Sequence, residues 1–178
     1  MRLVIDTGLS GAGKSTAMKM LEDAQYFCVD NLPIQLVGKF VSLMSANQGE
    51  DIQNAAIGLD VRSGRYLEGL EEVLDQLKEM GHKFEILFLD ADDRTLVKRY
   101  KETRRTHPLA MTGRVDEGIR EERKRLNFLK ERADYIIDTT HLLTRELKKE
   151  LDKIFVENGK FDNMMISVLS FGFKYGIP

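Results

Sequence analysis

The sequence predicts an α/β protein in which a mainly parallel sheet is covered by helices on both faces. Apolar runs typical of buried strands alternate with segments of helical period along most of the chain. The first apolar run, residues 2–7, leads through a glycine-rich loop directly into a helix. The 178 residues, of which 42% are hydrophobic, are enough for one globular domain with a substantial core.

Each predicted element follows from the spacing of its apolar residues and from the turn signals beside it. The predicted strands cover residues 2–7, 26–29, 54–60, 83–92, 134–139 and 164–173. The first predicted helix follows the glycine-rich loop and ends near residues 22–24. Two more cover residues 33–46 and 65–80, and a fourth begins near Arg94 after a cap at Asp92 or Asp93. The last two cover Val115 to Ala133 and residues 142–156.

The loop between the first strand and the first helix carries the most specific pattern in the chain. The phosphate-binding P-loop pattern, G-x-x-x-x-G-K-[ST], is matched by Gly8, Leu9, Ser10, Gly11, Ala12, Gly13, Lys14 and Ser15, with Thr16 after it. The glycines let backbone N–H groups approach an anion, and the helix N-terminus adds the positive end of its dipole. Lys14 would reach the β- and γ-phosphates of a nucleotide. The strand–loop–helix context therefore predicts a P-loop NTPase fold of the kinase-like type.

Carboxylates at the ends of predicted strands are the candidate metal ligands, because open α/β sheets bind ligands at that edge. Asp60 closes a run of small and apolar residues, which is the Walker B pattern, and is predicted to hold Mg²⁺ together with Ser15. A helix cap is the alternative role for Asp60, and Asp90 is a competing Walker B candidate. Asp30 follows the second strand and serves either as a cap before Pro33 or as an active-site contact.

Asp6 is anomalous, because an unpaired carboxylate in a central parallel strand is costly. Three placements are compatible with the sequence. The side chain lies beside Lys14 at the end of the strand, contacts a metal ion through water, or occupies a polar position on the periphery.

Residues 94–132 are strongly basic, although the whole chain has a net charge of −2. Thirteen Lys and Arg residues stand against six Asp and Glu residues there, a local balance of +7. We interpret the segment as an arginine-rich lid that closes on a phosphoryl group, with Thr106–Arg114 as its mobile part. The candidate catalytic cations in it are Arg104, Arg105 and Arg123.

Two other interpretations of the basic segment stay open. It could be a solvated helix pair in which arginines form ion pairs with Glu121 and Glu122. It could also contact an RNA backbone, although few aromatic residues that would stack on bases are interleaved with its charges.

Composition excludes several classes of protein. The single cysteine, Cys28, permits no internal disulfide and indicates a reducing compartment. The three histidines are far apart and have no cysteine companions, which argues against a structural zinc site. No apolar run approaches ~18 residues, and no signal segment precedes the first strand, so we expect a cytoplasmic protein without a membrane span.

Several longer strings resemble the RapZ/YvcJ family of bacterial P-loop nucleotide-binding proteins. Beside the P-loop itself, the resemblance rests on residues 26–33 (YFCVDNLP), 59–63 (LDVRS), 103–109 (TRRTHPL) and 170–178 (SFGFKYGIP). The last two strings are together highly specific, and further matching pieces are spread along the whole chain.

The resemblance implies a protein that binds ATP or GTP and hydrolyses it weakly. It implies two nucleotide-contacting segments, residues 8–15 and a second one formed by Asp60, Val61, Arg62 and Ser63. Residues 1–158 would form the nucleotide-binding domain, and residues 159–178 would begin a C-terminal domain that is cut short here. Some members act as RNase adapters whose C-terminal domain binds small regulatory RNA.

The sequence thus predicts a nucleotide-responsive regulatory protein that uses ATP or GTP with Mg²⁺. A small-molecule kinase is the first alternative, because such kinases share the predicted architecture and a lid. An RNA-binding module that acts through residues 94–132 is the second. The sequence does not specify the base of the nucleotide or the oligomeric state, and it leaves oligomerisation open.

Overall fold

The computed structural model describes residues 1–46, 52–59, 69–104, 106–110 and 114–157. The strands among them are β1 (Arg2–Gly8), β2 (Phe27–Val29), β3 (Asn54–Gly58), β4 (Glu85–Asp90) and β5 (Tyr135–Asp138). The helices are α1 (Lys14–Asp23), α2 (Ile34–Ala46), α3 (Leu70–Glu79), α4 (Asp93–Thr103), α5 (Val115–Glu131) and α6 (Thr144–Phe155). Strands and helices alternate as predicted, with two helices between β4 and β5.

The five strands form one sheet in the order β2-β3-β1-β4-β5, and every neighbouring pair is parallel. β1 is central, and Asp6 lies opposite Gly58 of β3 and Leu87 of β4. Because parallel strands end at the same edge, the loop after β1 emerges in the middle of the carboxyl edge, where such sheets bind ligands. The predicted α/β fold is confirmed.

Helices cover both faces of the sheet. Because crossovers between parallel strands are right-handed, the strand order places α1 on one face and α2 and α3 on the other. In agreement with this, α1 packs against α6, and α2 packs against α3. α5 packs against α4 and also contacts β1 and β4, so it reaches the strands that flank the glycine-rich loop.

The hydrophobic core is centred on β1 and β4, which are covered on both faces. Leu3, Val4, Ile5, Leu87 and Phe88 are at most 1% exposed. A parallel strand that is buried on both faces has a nearly continuous apolar sequence. This pattern made both strands predictable.

The boundaries agree with the predicted ones to within a few residues where the structure describes them. Of the two candidate caps for α4, Asp92 is the one used, since its Oδ1 accepts a hydrogen bond from the Thr95 N–H (2.6 Å). The predicted strand over residues 164–173 lies outside the described residues. None of the described helices is long and apolar enough to cross a membrane.

Candidate functional site

The loop between β1 and α1 is held in a tight turn against β4. The Leu9 N–H donates to the Leu89 carbonyl (3.0 Å), and the Ala12 N–H donates to the Leu9 carbonyl (3.0 Å). Gly8 has a φ of 132°, and a Cβ at this position would overlap the Leu89 carbonyl oxygen. The first glycine of the pattern is therefore required both by its backbone angle and by the close approach of β4.

Three carbonyl oxygens of this loop accept hydrogen bonds from side chains. Lys14 Nζ donates to the Gly8 carbonyl (2.8 Å), Arg99 Nη1 to the Gly11 carbonyl (3.0 Å) and Thr139 Oγ1 to the Ala12 carbonyl (2.8 Å). In a trans peptide the N–H points opposite to the carbonyl, so each of these bonds also fixes the direction of the next N–H group. The loop backbone is thus organised from outside by α4 and by the residue after β5.

The N-terminus of α1 carries no acidic compensation. Its N-cap residue, Gly13, makes no side-chain cap hydrogen bond, and the first turn of α1 contains no acidic residue. The first N–H groups of a helix have no partner within the helix, and with the helix dipole they attract an anion. The fixed loop and this helix end together have the chemistry of a phosphate site.

A cavity of about 900 Å³ opens beside the loop. One wall consists of the loop and the first turn of α1, and the opposite wall consists of the end of α4 and residues that follow it. The second wall contributes the cations Arg99 and Arg104 and one carboxylate, that of Glu102. A bound molecule would therefore meet positive charge on both sides.

The structure separates the three arginines that the sequence assigned to a phosphate. Arg104, exposed at the C-terminal cap of α4, lines the cavity. Arg105 lies outside the described residues. Arg123 on α5 donates to Asp90 Oδ1 (3.0 Å) and Asp93 Oδ1 (2.7 Å). The geometry gives Arg123 a structural role, because it would have to leave two carboxylates in order to reach a nucleotide.

Asp90, the competing Walker B candidate, is paired with two cations at the end of β4. Lys130 Nζ donates to its Oδ2 (2.7 Å), opposite the bond from Arg123. Burial by itself raises the pKa of Asp90, but the hydrogen bonds and charges of Lys130 and Arg123 outweigh burial and hold the pKa below its ordinary value. The carboxylate is therefore ionised but already occupied, which makes it a poor metal ligand.

Many cations of the basic segment form surface ion pairs, as one of its two other interpretations predicts. They join Arg114 and Arg120 to Asp116, Arg125 to Glu121, and Arg132 to Glu71 and Asp75. Such exposed pairs add little stability. They do reduce the positive charge that the segment offers to an external polyanion.

The second predicted nucleotide-contacting segment, Asp60 through Ser63, lies outside the described residues. β3, which leads toward it, ends at the same carboxyl edge as β1. Ser15, the other predicted Mg²⁺ ligand, is exposed on the first turn of α1 and lines the cavity. The part of the chain that the structure describes contains no cluster of His, Cys, Asp and Glu that could hold a metal ion.

Asp6 is fully buried, so a peripheral position is wrong. Neither of its carboxylate oxygens has a hydrogen-bond partner within the described ranges. Burial raises the pKa of Asp6 well above its ordinary value, the charge of Lys14 lowers it, and that of Asp30 raises it further. Asp30 packs closely here, since its Oδ1 would lie 2.5 Å from a Cβ on Gly58, the register partner of Asp6. Asp6 is thus a buried acid near the P-loop lysine.

The predicted lid segment, Thr106–Arg114, is anchored by a buried side chain within residues 106–110. His107 is fully buried, and its Nε2 lies 3.0 Å from Glu122 Oε2. Glu122 is also fully buried and bonds to Ser10 of the loop, so it forms no surface ion pair. The absence of apolar periodicity suggested mobility, whereas a buried polar network anchors the segment.

A sequence model of the RapZ-like N-terminal domain matches residues 1–159. The chain belongs to the RapZ-like family. The match includes the glycine-rich loop and the strings at residues 26–33, 59–63 and 103–109. It therefore confirms the resemblance that these strings indicated.

RapZ-like relatives extend beyond the length of this chain. A protein from Lachnoclostridium phytofermentans, named nucleotide-binding protein, is 61% identical over 178 residues, which are 100% of this chain and 62% of that protein. The chain thus spans about three-fifths of the length of this relative.

Solved structures share the RapZ-like fold at low sequence identity. A sugar kinase from a Janibacter species has a TM-score of 0.58 and 16% identity, covering 86% of this chain and 93% of its own. A shikimate kinase from Acinetobacter baumannii has a TM-score of 0.56 and 17% identity, covering 89% and 94%. At such identity the likeness shows the fold alone, which is that of P-loop kinases.

Four side chains that shape the RapZ-like site escaped sequence reasoning as site residues, namely Arg99, His107, Glu122 and Thr139. Arg99 and Thr139 lie far from the loop in sequence and carry no local signal of a contact with it. Glu122 does carry a local signal, because it lies between Ile119 and Leu126 at helical spacing on the buried face of α5. A charged residue on a buried helical face indicates a buried polar network.

Proposed function

We propose that this chain is an ATP- or GTP-binding domain that hydrolyses its nucleotide slowly and reports its nucleotide state within a longer regulatory protein. One observation carries the binding part of the proposal. Side chains hold three carbonyls of the loop at residues 8–15, while the N-terminus of α1 behind it lacks an acidic partner. The phosphates of a nucleotide would supply the missing negative charge. The name of the 61% identical relative agrees with this proposal.

The N–H groups of Leu9, Ser10, Ala12 and Thr16 already donate within the protein. Within residues 8–16 the phosphates would therefore bind to the N–H groups of Gly11, Gly13 and Ser15. They would also bind to Lys14, whose ammonium would exchange the Gly8 carbonyl for a phosphate oxygen. The second contact would come from Asp60, Val61, Arg62 and Ser63. Mg²⁺ would be held by Ser15 and Asp60, since the exposed Ser15 hydroxyl on the first turn of α1 fits the preference of Mg²⁺ for oxygen ligands.

Arg104 is the arginine that we assign to the charge of the terminal phosphate. It lines the cavity together with Lys14 and Ser15, and its side chain is exposed. A cation at this place would stabilise negative charge that develops on a transferring phosphoryl group. Arg105 is the second candidate, and Arg123 ranks after both because two carboxylates hold it.

The regulatory part of the proposal is supported by the family and by the length of the relatives. We assign residues 1–158 to the nucleotide-binding domain and residues 159–178 to the beginning of a C-terminal domain. We assign any binding of small regulatory RNA to that further domain, because several cations of residues 94–132 are held in ion pairs.

Isothermal titration calorimetry with Mg-ATP and Mg-GTP tests the binding proposal. We expect wild-type protein to bind at least one of them and Lys14→Ala to weaken that binding by about 10- to 100-fold, because a charge-assisted hydrogen bond to phosphate is lost. Lys19→Ala removes the same charge from an exposed position of α1 and should leave the affinity unchanged. Equal affinities of wild type and Lys14→Ala, or no binding by wild type, would contradict the proposal.

A further inference from the structure

A buried carboxylate lies directly behind the phosphate loop. Glu122 projects from α5, and both its side chain and that of His107 are 0% exposed. Glu122 Oε1 accepts hydrogen bonds from the Ser10 N–H (3.0 Å) and the Ser10 hydroxyl (2.7 Å). Glu122 Oε2 lies 3.1 Å from the same N–H and 3.0 Å from His107 Nε2. One carboxylate therefore joins the P-loop to the segment at residues 106–110.

The hydrogen bonds define the proton positions in this network. The Leu109 N–H donates to His107 Nδ1 (3.1 Å), so Nδ1 is an acceptor and carries no proton. A neutral imidazole then carries its proton on Nε2 and donates it to Glu122. Since Glu122 receives a donor at each oxygen, it acts only as an acceptor, as an ionised carboxylate does.

His107 is fixed in this orientation by packing as well. Its ring lies 5.1 Å from the ring of Tyr100, measured between centroids. A Cβ on Gly118 would lie 2.5 Å from His107 Nδ1 and 2.8 Å from Ala110 Cβ, so the absence of a side chain at Gly118 makes room for the segment. Movement of the imidazole would therefore require movement of α4 or α5.

The network is costly unless it is complete. A buried carboxylate without donors loses its hydration with no compensation, whereas this one is satisfied by Ser10 and His107 together. Such a network favours one arrangement over alternatives that leave a member unpaired. If Ser10 or His107 moves away, Glu122 loses a hydrogen-bond donor and is left as a buried carboxylate with an unpaired oxygen.

We propose that Glu122 and His107 are positioning residues that hold the P-loop in its phosphate-binding conformation and couple it to the arginine-bearing wall of the cavity. This inference rests on the proposed nucleotide binding. Ser10 and Gly11 form part of the loop, while Arg104 and residues 106–108 form the facing wall. Binding of phosphate to the loop and the position of the facing wall are then coupled through the Ser10–Glu122–His107 network.

A pair of isosteric variants tests the proposal. In Glu122→Gln the amide group must face either His107 Nε2 or the Ser10 N–H, and both are donors. We expect Glu122→Gln to weaken Mg-ATP or Mg-GTP binding by about tenfold or more, because the competent loop conformation becomes a minor one. In Glu122→Gln/His107→Gln the second amide can present its oxygen to the first, so most of the affinity should return. Glu121→Gln, which removes an exposed charge from the same helix, is the matched control.

Amide hydrogen exchange measures the coupling itself. In wild-type protein, nucleotide binding should slow the exchange of the Leu109 and Ala110 amides, which bond to the side chain and backbone of His107. Glu122→Gln should abolish this response. The double variant should restore it at Ala110, whose acceptor is the backbone carbonyl of residue 107. Leu109 does not report on the double variant, because His107→Gln removes the Nδ1 atom that accepts from its N–H. A merely weakened fold would speed the exchange of amides throughout the protein, whereas the coupling changes how the Ala110 amide responds to nucleotide.

The outcomes separate this inference from the proposed function. If wild-type protein binds neither nucleotide, the proposed function fails. If wild type binds and Glu122→Gln binds equally well, or if the double variant is no better than Glu122→Gln, the positioning role is wrong. If thermal denaturation shows that Glu122→Gln is unfolded, Ser10→Ala takes its place, since it removes only the hydroxyl that donates a hydrogen bond to Glu122. Ser10→Ala should weaken nucleotide binding severalfold and reduce the exchange response. If neither changes, the positioning role is wrong.

Discussion

Gly8→Ala is expected to destabilise the protein by about 3 kcal/mol and to abolish nucleotide binding. The φ of Gly8 is 132°, a region that L-residues rarely adopt, and the new Cβ would overlap the Leu89 carbonyl oxygen on the neighbouring strand. Backbone strain and overpacking each cost about 1–3 kcal/mol, and backbone cannot move aside as a flexible side chain can. Urea denaturation measures the loss of stability, and calorimetry with Mg-ATP and Mg-GTP measures the loss of binding.

Gly38→Ala is the matched control for this prediction. Gly38 lies within α2, and a Cβ there would meet nothing within 4 Å. Alanine is favoured over glycine in a helix, so this variant should be more stable by about 0.5–1 kcal/mol, with unchanged nucleotide affinity. A Gly8→Ala protein as stable as wild type would show that the loop does not approach β4 as closely as described.

Asp6→Val is expected to stabilise the protein at pH 7 by about 1–3 kcal/mol. Both carboxylate oxygens of Asp6 are buried without a hydrogen-bond partner in the described structure, and an unsatisfied buried polar group costs about this much. Valine also suits the central strand β1, in which Leu3, Val4 and Ile5 are apolar and buried. Urea denaturation of the two proteins at pH 7 measures the difference.

The pH dependence of stability provides a second test of the same substitution. The pKa of Asp6 in the folded protein lies well above its value in the unfolded chain, about 3.9. Between the two values the folded state binds more protons, so wild-type stability falls as the pH rises, by up to about 1.4 kcal/mol per pH unit from this group. The stabilisation by Asp6→Val should therefore grow with pH across this window and level off above the folded pKa.

Asp6→Asn separates the titration from the polar burial. It removes the ionisable group, so the pH-dependent loss should disappear as in Asp6→Val. It keeps an unsatisfied polar group in the sheet, so it should gain less stability at pH 7 than the valine variant. If Asp6→Val were less stable than wild type at pH 7, the carboxylate would instead be held in a favourable pairing with Lys14, whose charge lowers the pKa of Asp6.

The features that the sequence predicted well are those that leave a local pattern. The apolar runs at residues 2–7 and 83–92 predicted β1 and β4, because strands buried on both faces read as continuous apolar segments. The loop pattern at residues 8–15 predicted a strand–loop–helix unit, and the structure contains it. Asp92 was one of two predicted caps because cap chemistry depends on the next three residues only.

The features that the sequence did not predict depend on contacts between distant residues. Ser10 and Glu122 are separated by 112 positions, and Arg99 and Gly11 by 88. No spacing rule joins such residues before the fold is known. The same limitation applies to Arg123, since its assignment to a phosphate came from local charge and its carboxylate partners are brought to it by the sheet edge at β4.

The central claim is that the loop at residues 8–15 binds the phosphates of a nucleotide. A crystal structure of the protein with Mg²⁺ and a non-hydrolysable analogue of ATP or GTP tests it most directly. We predict that the β-phosphate lies in the loop, that Lys14 Nζ has exchanged the Gly8 carbonyl for a phosphate oxygen, and that Mg²⁺ is bound to Ser15. An analogue bound away from the loop, or Lys14 still on the Gly8 carbonyl with the nucleotide present, would contradict the claim.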